Sequence, residues 1–166
     1  MLILPGAQKV AIIDPTKKMG ETGQYVAYDG NCEELEAVIM AARKADMELR
    51  YYYTEISDGN GECVPIKVII TEIPDGHIQP FHTHTNVHEI STVLQGQLIA
   101  IDSDTLKEGD CDKIRVRGSV VEQGASVIAD RGVRHTVANF SGARTVFITN
   151  NVLPLPTGKD FKPDWK

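Results

Sequence analysis

The stretch GHIQPFHTHTNVHEISTVLQG, residues 76–96, carries four of the five histidines of the chain, with Glu89 directly behind the last of them. His82 and His84 are two residues apart, so on a strand both rings project from one face. Glu89 follows His84 at an odd spacing, and an unbroken strand would send it to the opposite face. Its carboxylate joins the two imidazoles only if the chain bends between them. Thr85-Asn86 is the natural place, since asparagine tolerates turn geometry. A new strand then starts near Glu89, with Glu89, Ser91 and Val93 on one face and Ile90, Thr92 and Leu94 on the other. The fifth histidine, His135, heads a separate apolar run in GVRHTVAN, after the turn Asp130-Arg131-Gly132.

Outward from this stretch, most of the chain reads as short strands. They are expected at 9–14, 24–28, 50–56, 66–73, 89–95, 97–101, 113–117, 126–129, 135–140 and 144–150. Gly- and Asp-rich turns at 57–62, 74–77, 130–132 and 140–142 separate them. One helix is expected at 31–49, capped by Asn31 with Glu34 at the capping-box position, and with Leu35, Val38, Ile39 and Ala42 at helical spacing. Many close-spaced strands after one helix predict an all-β barrel or sandwich with an N-terminal α/β extension. The last residues, 153–166, are rich in proline and lysine, have no period and are expected on the surface.

The chain has 166 residues, enough for one hydrophobic core and few for two. Its formal charge is −6 with both signs interspersed, which argues against a nucleic-acid partner or an anionic membrane surface. No apolar run is long enough for a membrane span, and the N-terminus lacks the basic start of a signal peptide. Cys32, Cys63 and Cys111 are odd in number and far apart, so neither a disulfide framework nor a thiolate metal site is expected. A reducing cytoplasm is the simplest compartment.

A barrel can bring strands distant in sequence across its interior, so His82, His84, Glu89 and His135 can meet at one point. Three imidazoles and one carboxylate suit a first-row divalent ion such as Fe, Mn, Zn, Ni or Cu, and an octahedral ion there keeps two positions open. A histidine near a turn is, taken singly, more often only solvent-facing. The spacing of the whole set decides against that. It runs Gly76-x5-His82-x-His84-x4-Glu89-x6-Gly96, followed by Gly124-x5-Asp130-x-Gly132-x2-His135-x3-Asn139. Both halves resemble the two motifs of the cupin superfamily, in the right order and 27 residues apart. The one departure is Asp130, where the family usually has proline; aspartate is itself a turn former, and that position is not a ligand.

The resemblance covers about residues 65–152. It implies a double-stranded β-helix, a jelly-roll barrel, with one divalent transition metal ion on His82, His84, Glu89 and His135. Residues 1–64 are then an N-terminal α+β extension packed on the barrel, covering an edge or extending a dimer. The strands at 9–14 and 50–56 are expected to offer free edges for this. Since Ile90 and Leu94 should face outward and need cover, from the N-terminal segment or from a second copy of the chain, a two-fold homodimer is expected, with the helix at 31–49 covering this face as the alternative. His77, in its turn, is expected to be exposed, and His88 to be a rim group. Gly96 and Gly132 take turn conformations, and Asn139 bonds backbone. Ser91 and Arg134 are candidates for touching a substrate, with Arg131 beside the entrance.

Cupins include dioxygenases, decarboxylases, lyases, isomerases and non-enzymatic binding proteins, so the fold does not choose a reaction. The first expectation is a metal-dependent enzyme of dioxygenase or isomerase/lyase type, acting on a small polar metabolite. Ser91 and Val93 leave room where many relatives carry an aromatic residue, which also removes an obvious tyrosine acid/base. The alternative is a metal-assisted binding or sensing module, which needs no ordered acid/base group beside the ion. A purely structural cupin is the third.

Overall fold

The computed structural model describes residues 6–57 and 63–152. The expected surface tail and most of the turn at 57–62 lie outside the described residues. The N-terminal strands are β1 (Lys9–Ile13), β2 (Tyr25–Asp29) and β3 (Glu48–Ser57), with helix α1 (Leu35–Lys44) before β3. Then come β4 (Cys63–Ile73), β5 (His82–Thr83), β6 (His88–Gln95) and β7 (Gln97–Asp102). A second helix, α2 (Cys111–Arg117), precedes β8 (Ser119–Glu122), β9 (Ser126–Ala129), β10 (Arg134–Ala138) and β11 (Thr145–Val152).

The strands form two antiparallel sheets, one of seven strands in the order β2-β1-β3-β4-β11-β6-β9 and one of four in the order β5-β10-β7-β8. Ile73, Val93 and Phe147 from the large sheet meet Leu98, Val121 and Val137 from the small one in a shared buried cluster. Strands remote in sequence thus face each other across one core, the arrangement of a double-stranded β-helix. Part of each outer face is covered as well. Helix α1 lays Ile39 and Ala42 on Val10, Leu49, Tyr51, Ile70 and Val146 of the large sheet. Leu106 and Ile114 cover Ile99 and Ile101 of the small one. Alternation along β6 follows the expected faces: Ser91 and Val93 are buried, while Leu94 is exposed.

Three local expectations are corrected. The helix is shorter than 31–49 and is not capped by Asn31, whose amide N–H donates to Asp29 Oδ1 in the preceding turn at 2.8 Å. At the other end Asp46 adopts φ 52°, and Glu48 and Leu49 enter β3, where both are fully buried. Sheet pairing outweighs helical period there. Residues 113–117, expected as a strand, are helical: Asp112 stands in the first turn, and only Ile114 is needed against the small sheet while Val116 is 83% exposed. The β-branched pair Val120-Val121 just beyond it forms the unexpected strand β8. Lastly, β1 and β3 are not free edges, because β1 lies between β2 and β3, and β3 between β1 and β4. The seven-stranded sheet ends instead on β2 and β9.

Gly96 sits between β6 and β7 at φ 88°, where a Cβ would come within 2.5 Å of Thr145 Oγ1, so both conformation and space require glycine. Asn139 is fully buried and donates Nδ2–H to the carbonyls of Ile73 (3.0 Å) and Ala143 (2.7 Å), as its backbone role requires. No helix among the described residues is long and apolar enough to cross a membrane.

Candidate metal centre

His82 on β5 stands opposite His135 on β10 in the antiparallel register of the small sheet. The chain bends at Thr85-Asn86, as expected, before β6 begins at His88. Glu89 therefore comes from the opposite sheet, and its carboxylate meets the imidazoles across the barrel. The ring centroids lie 4.5 Å apart for His82 and His135, 4.8 Å for His82 and His84, and 5.4 Å for His84 and His135. One ligand atom from each of the four residues lies within 4.8 Å of all the others.

Two of the rings are held by backbone. The Nδ1–H of His82 donates to the Pro80 carbonyl and that of His135 to the Val133 carbonyl, both at 2.9 Å. A carbonyl only accepts, so Nδ1 carries the proton and, in the neutral ring, Nε2 presents its lone pair inward. Nε2 of His84 lies 2.9 Å from Glu89 Oε2, and Nε2 of His135 lies 3.7 Å from Oε1. Neither approach has the geometry of a hydrogen bond, that of His135 being too long: both nitrogens are buried and without a hydrogen-bond partner. Buried ring nitrogens left unpaired around one point, with an anion beside them, fit a divalent first-row cation.

The electrostatics agree. Burial pushes the His82 pKa down, which keeps that ring neutral at pH 7. Burial also disfavours the Glu89 carboxylate, but His135, His84 and His82 outweigh it and hold Glu89 below its ordinary value. For His135, burial acts downward, while Glu89 and the Val133 carbonyl act upward and prevail.

The other candidates fall into place. His88, one-third exposed, points away from the cluster to Asp130 Oδ1 at 3.2 Å. The Ser91 hydroxyl is buried and paired with Thr149 Oγ1 at 3.0 Å. The Arg134 guanidinium donates to the carbonyls of Ser103 and Leu106 and lies 4.2 Å over the Phe81 ring. Arg131 is exposed. Gly132, at φ 83°, gives its amide N–H to the His84 carbonyl at 2.7 Å and so ties the two motifs together.

His77 is the exception. Expected exposed, its side chain is only 11% exposed, with Nε2 at 2.9 Å from Glu48 Oε2. A buried carboxylate from β3 draws it inward. Glu48, Arg50, Tyr52, Gln79 and Asn151 escaped sequence reading, and with His82, His84 and Glu89 they line one cavity of about 710 Å³. Asn151 had a signal: Phe147, Thr149 and Asn151 alternate along β11, and Asn151 stands opposite Glu89. Glu48 had none, since it lay within the expected helix.

No protein-family model matches the chain, and no curated protein does. Among solved structures, a predicted oxalate decarboxylase from Thermotoga maritima is 14% identical, over 65% of this chain and 82% of that one, with a TM-score of 0.47. A double-stranded β-helix protein from Klebsiella pneumoniae is 16% identical over 63% and 75%, also with a TM-score of 0.47. The cupin domain of Cnp3 from Schizosaccharomyces pombe is 11% identical over 63% and 65%, with a TM-score of 0.45. No activity follows from likenesses of this degree.

Proposed function

We propose that this chain, a double-stranded β-helix with cupin motif spacing, is a mononuclear metal-dependent enzyme acting on a small polar metabolite, of dioxygenase or isomerase/lyase type. The observation that carries this is the convergence of His82, His84, Glu89 and His135, with the Nε2 atoms of His84 and His135 buried and unpaired; His82, His84 and Glu89 also line the 710 Å³ cavity. That volume lies in the range of small-molecule sites. A divalent ion held by these four residues supplies Lewis acidity or a site for dioxygen. The protein's own part is positional. The Pro80 and Val133 carbonyls fix two rings, Phe147 and Ile69 give the cavity an apolar wall, and the Asn151 amide lines it on the strand beside Glu89. His77, steadied by buried Glu48, adds an imidazole to the cavity wall, which a mere binder does not need.

The test is metal analysis of protein purified without an affinity tag, followed by an oxygen-uptake and product screen with small carboxylates and diols. Absence of a stoichiometric metal ends the reading. One observation favours the second reading, a non-catalytic metal-assisted binding or sensing module. Ser91, the nearest inward hydroxyl on the strand of Glu89, is already tied to Thr149. Saturable metal-dependent ligand binding without turnover would establish it. The chain is further proposed to act as a two-fold homodimer in the cytoplasm. Leu94 and Ile128 at the β6–β9 end of the large sheet remain exposed, and the thiols of Cys32 and Cys111 are free.

A further inference from the structure

Glu48 is fully buried, and both of its oxygens are occupied. Oε1 accepts from Arg50 Nε at 2.8 Å and from Gln79 Nε2 at 2.6 Å, while Oε2 lies 2.9 Å from His77 Nε2. Burying a carboxylate costs several kcal/mol unless it is paired and hydrogen-bonded, and here it is both. Three of the roughly four acceptor positions of Glu48 are taken, and it is fully buried. Arg50 has capacity left for a ligand: it gives Nε to Glu48 and has the Tyr52 phenol as a second hydrogen-bond partner, which engages two of its five donors; its side chain is 27% exposed and lines the cavity. Lys17, Lys18 and Lys67 line the same cavity. The other acids there are engaged, Asp14 by Thr16, Glu108 by the Phe81 amide N–H at 2.7 Å and Glu89 by the histidine cluster.

We propose that Arg50, clamped by buried Glu48, is an oxyanion subsite that holds the carboxylate or phosphate of a small-molecule ligand. A guanidinium is a planar fork matched to such groups, and one already held in place loses little freedom on binding. The subsite is remote from the metal centre. The backbone carbonyl of His77, whose ring pairs with Glu48, accepts from the amide N–H of Asn139, just past the end of β10 and four residues from His135, a backbone separation of roughly 13 Å at the ~3.3 Å rise of a strand. A ligand that uses both ends is therefore elongated, with chelating oxygens at one end and an oxyanion at the other. Only this last step rests on the metal-centre reading; the subsite itself stands without it.

The test uses full-length protein in EDTA, titrated with glutarate and, separately, with inorganic phosphate, and followed by amide NMR shifts. At least one anion is expected to give saturable shifts at residues 48–52 and 77–79, and the tighter of the two assigns carboxylate or phosphate. Arg50→Gln strands a buried carboxylate and can fail to fold, so Arg50→Gln is combined with Glu48→Gln. That variant should bind about tenfold more weakly, the loss of a charge-assisted pair. Arg50→Lys, which keeps the charge and loses the fork, should fall between. No saturable shift with either anion, or unchanged affinity in the folded double variant, overturns the subsite. Zn²⁺ titration of the same proteins separates the two readings: wild type and double variant should agree within about twofold, as distant sites do. A wild type that binds no Zn²⁺ removes the metal centre and leaves the anion result standing.

Discussion

His82 and His135 stand directly opposite each other on adjacent antiparallel strands, with their rings 4.5 Å apart and each Nδ1–H given to the carbonyl two residues back. The first of these residues belongs to one motif and the second to the other. Strand pairing between β5 and β10 thus builds half the candidate centre before Glu89 arrives from the other sheet.

Glu89 is the one anion among the four ligands, and His88 points the other way toward Asp130. Glu89→Gln is therefore expected to weaken Zn²⁺ or Mn²⁺ binding at least ~10-fold more than His88→Gln, since even residues that only orient a ligand cost that much. Equal losses in a metal titration would place His88 in the site or both residues outside it.

Metal affinity should fall on acidification, and His135 should set the onset. Its pKa is raised above the ordinary 6.5, with the Glu89 carboxylate outweighing burial, so it takes up a proton before a free imidazole would. The bound ion needs the neutral ring. Titrations between pH 8 and 5.5 should show the affinity already declining above pH 6.5, and a flat profile down to pH 6 would contradict the assignment.

Glu48 is held below its ordinary value of 4.5, because His77 and Arg50 outweigh the burial that acts against its charge. A depressed carboxylate contributes stability that is present above the unfolded-state value and lost as pH falls through the folded-state one. Glu48→Gln should therefore lower Tm at pH 7, and the gap to wild type should shrink below pH 4.5. A gap that persists unchanged at pH 3 would mean that the loss is one of packing.

Gly96→Ala places a Cβ at φ 88° and against Thr145. It should cost about 1–3 kcal/mol in denaturant unfolding, the usual cost of a side chain in that backbone region. A neutral result would show that the β6–β7 turn relaxes freely.

Light scattering at micromolar concentration tests the assembly. The expected species is twice 18.2 kDa, with an interface above ~1,000 Å². A clean monomer would show that α1, which already covers Val10, Tyr51 and Ile70, leaves too little apolar surface for pairing.

By itself the sequence determined an all-β barrel or sandwich, the break at Thr85-Asn86 and the inward face of β6, and through the spacing of its two motifs the four residues that converge. All of these depend on fixed local spacing: period two along a strand, a turn former between strands, glycine at φ 83° before His135. Tertiary structure decided what spacing does not carry. Residues 113–117 alternate like a strand, yet the small sheet offers β7 another neighbour, and the segment coils to bury Ile114 alone. Glu48 carries helical period but is claimed by β3, and only there does its carboxylate meet Arg50, His77 and Gln79 from residues 2, 29 and 31 positions away. A buried charge is tolerated only where partners from several strands meet it, and that meeting is a property of the fold rather than of any local stretch.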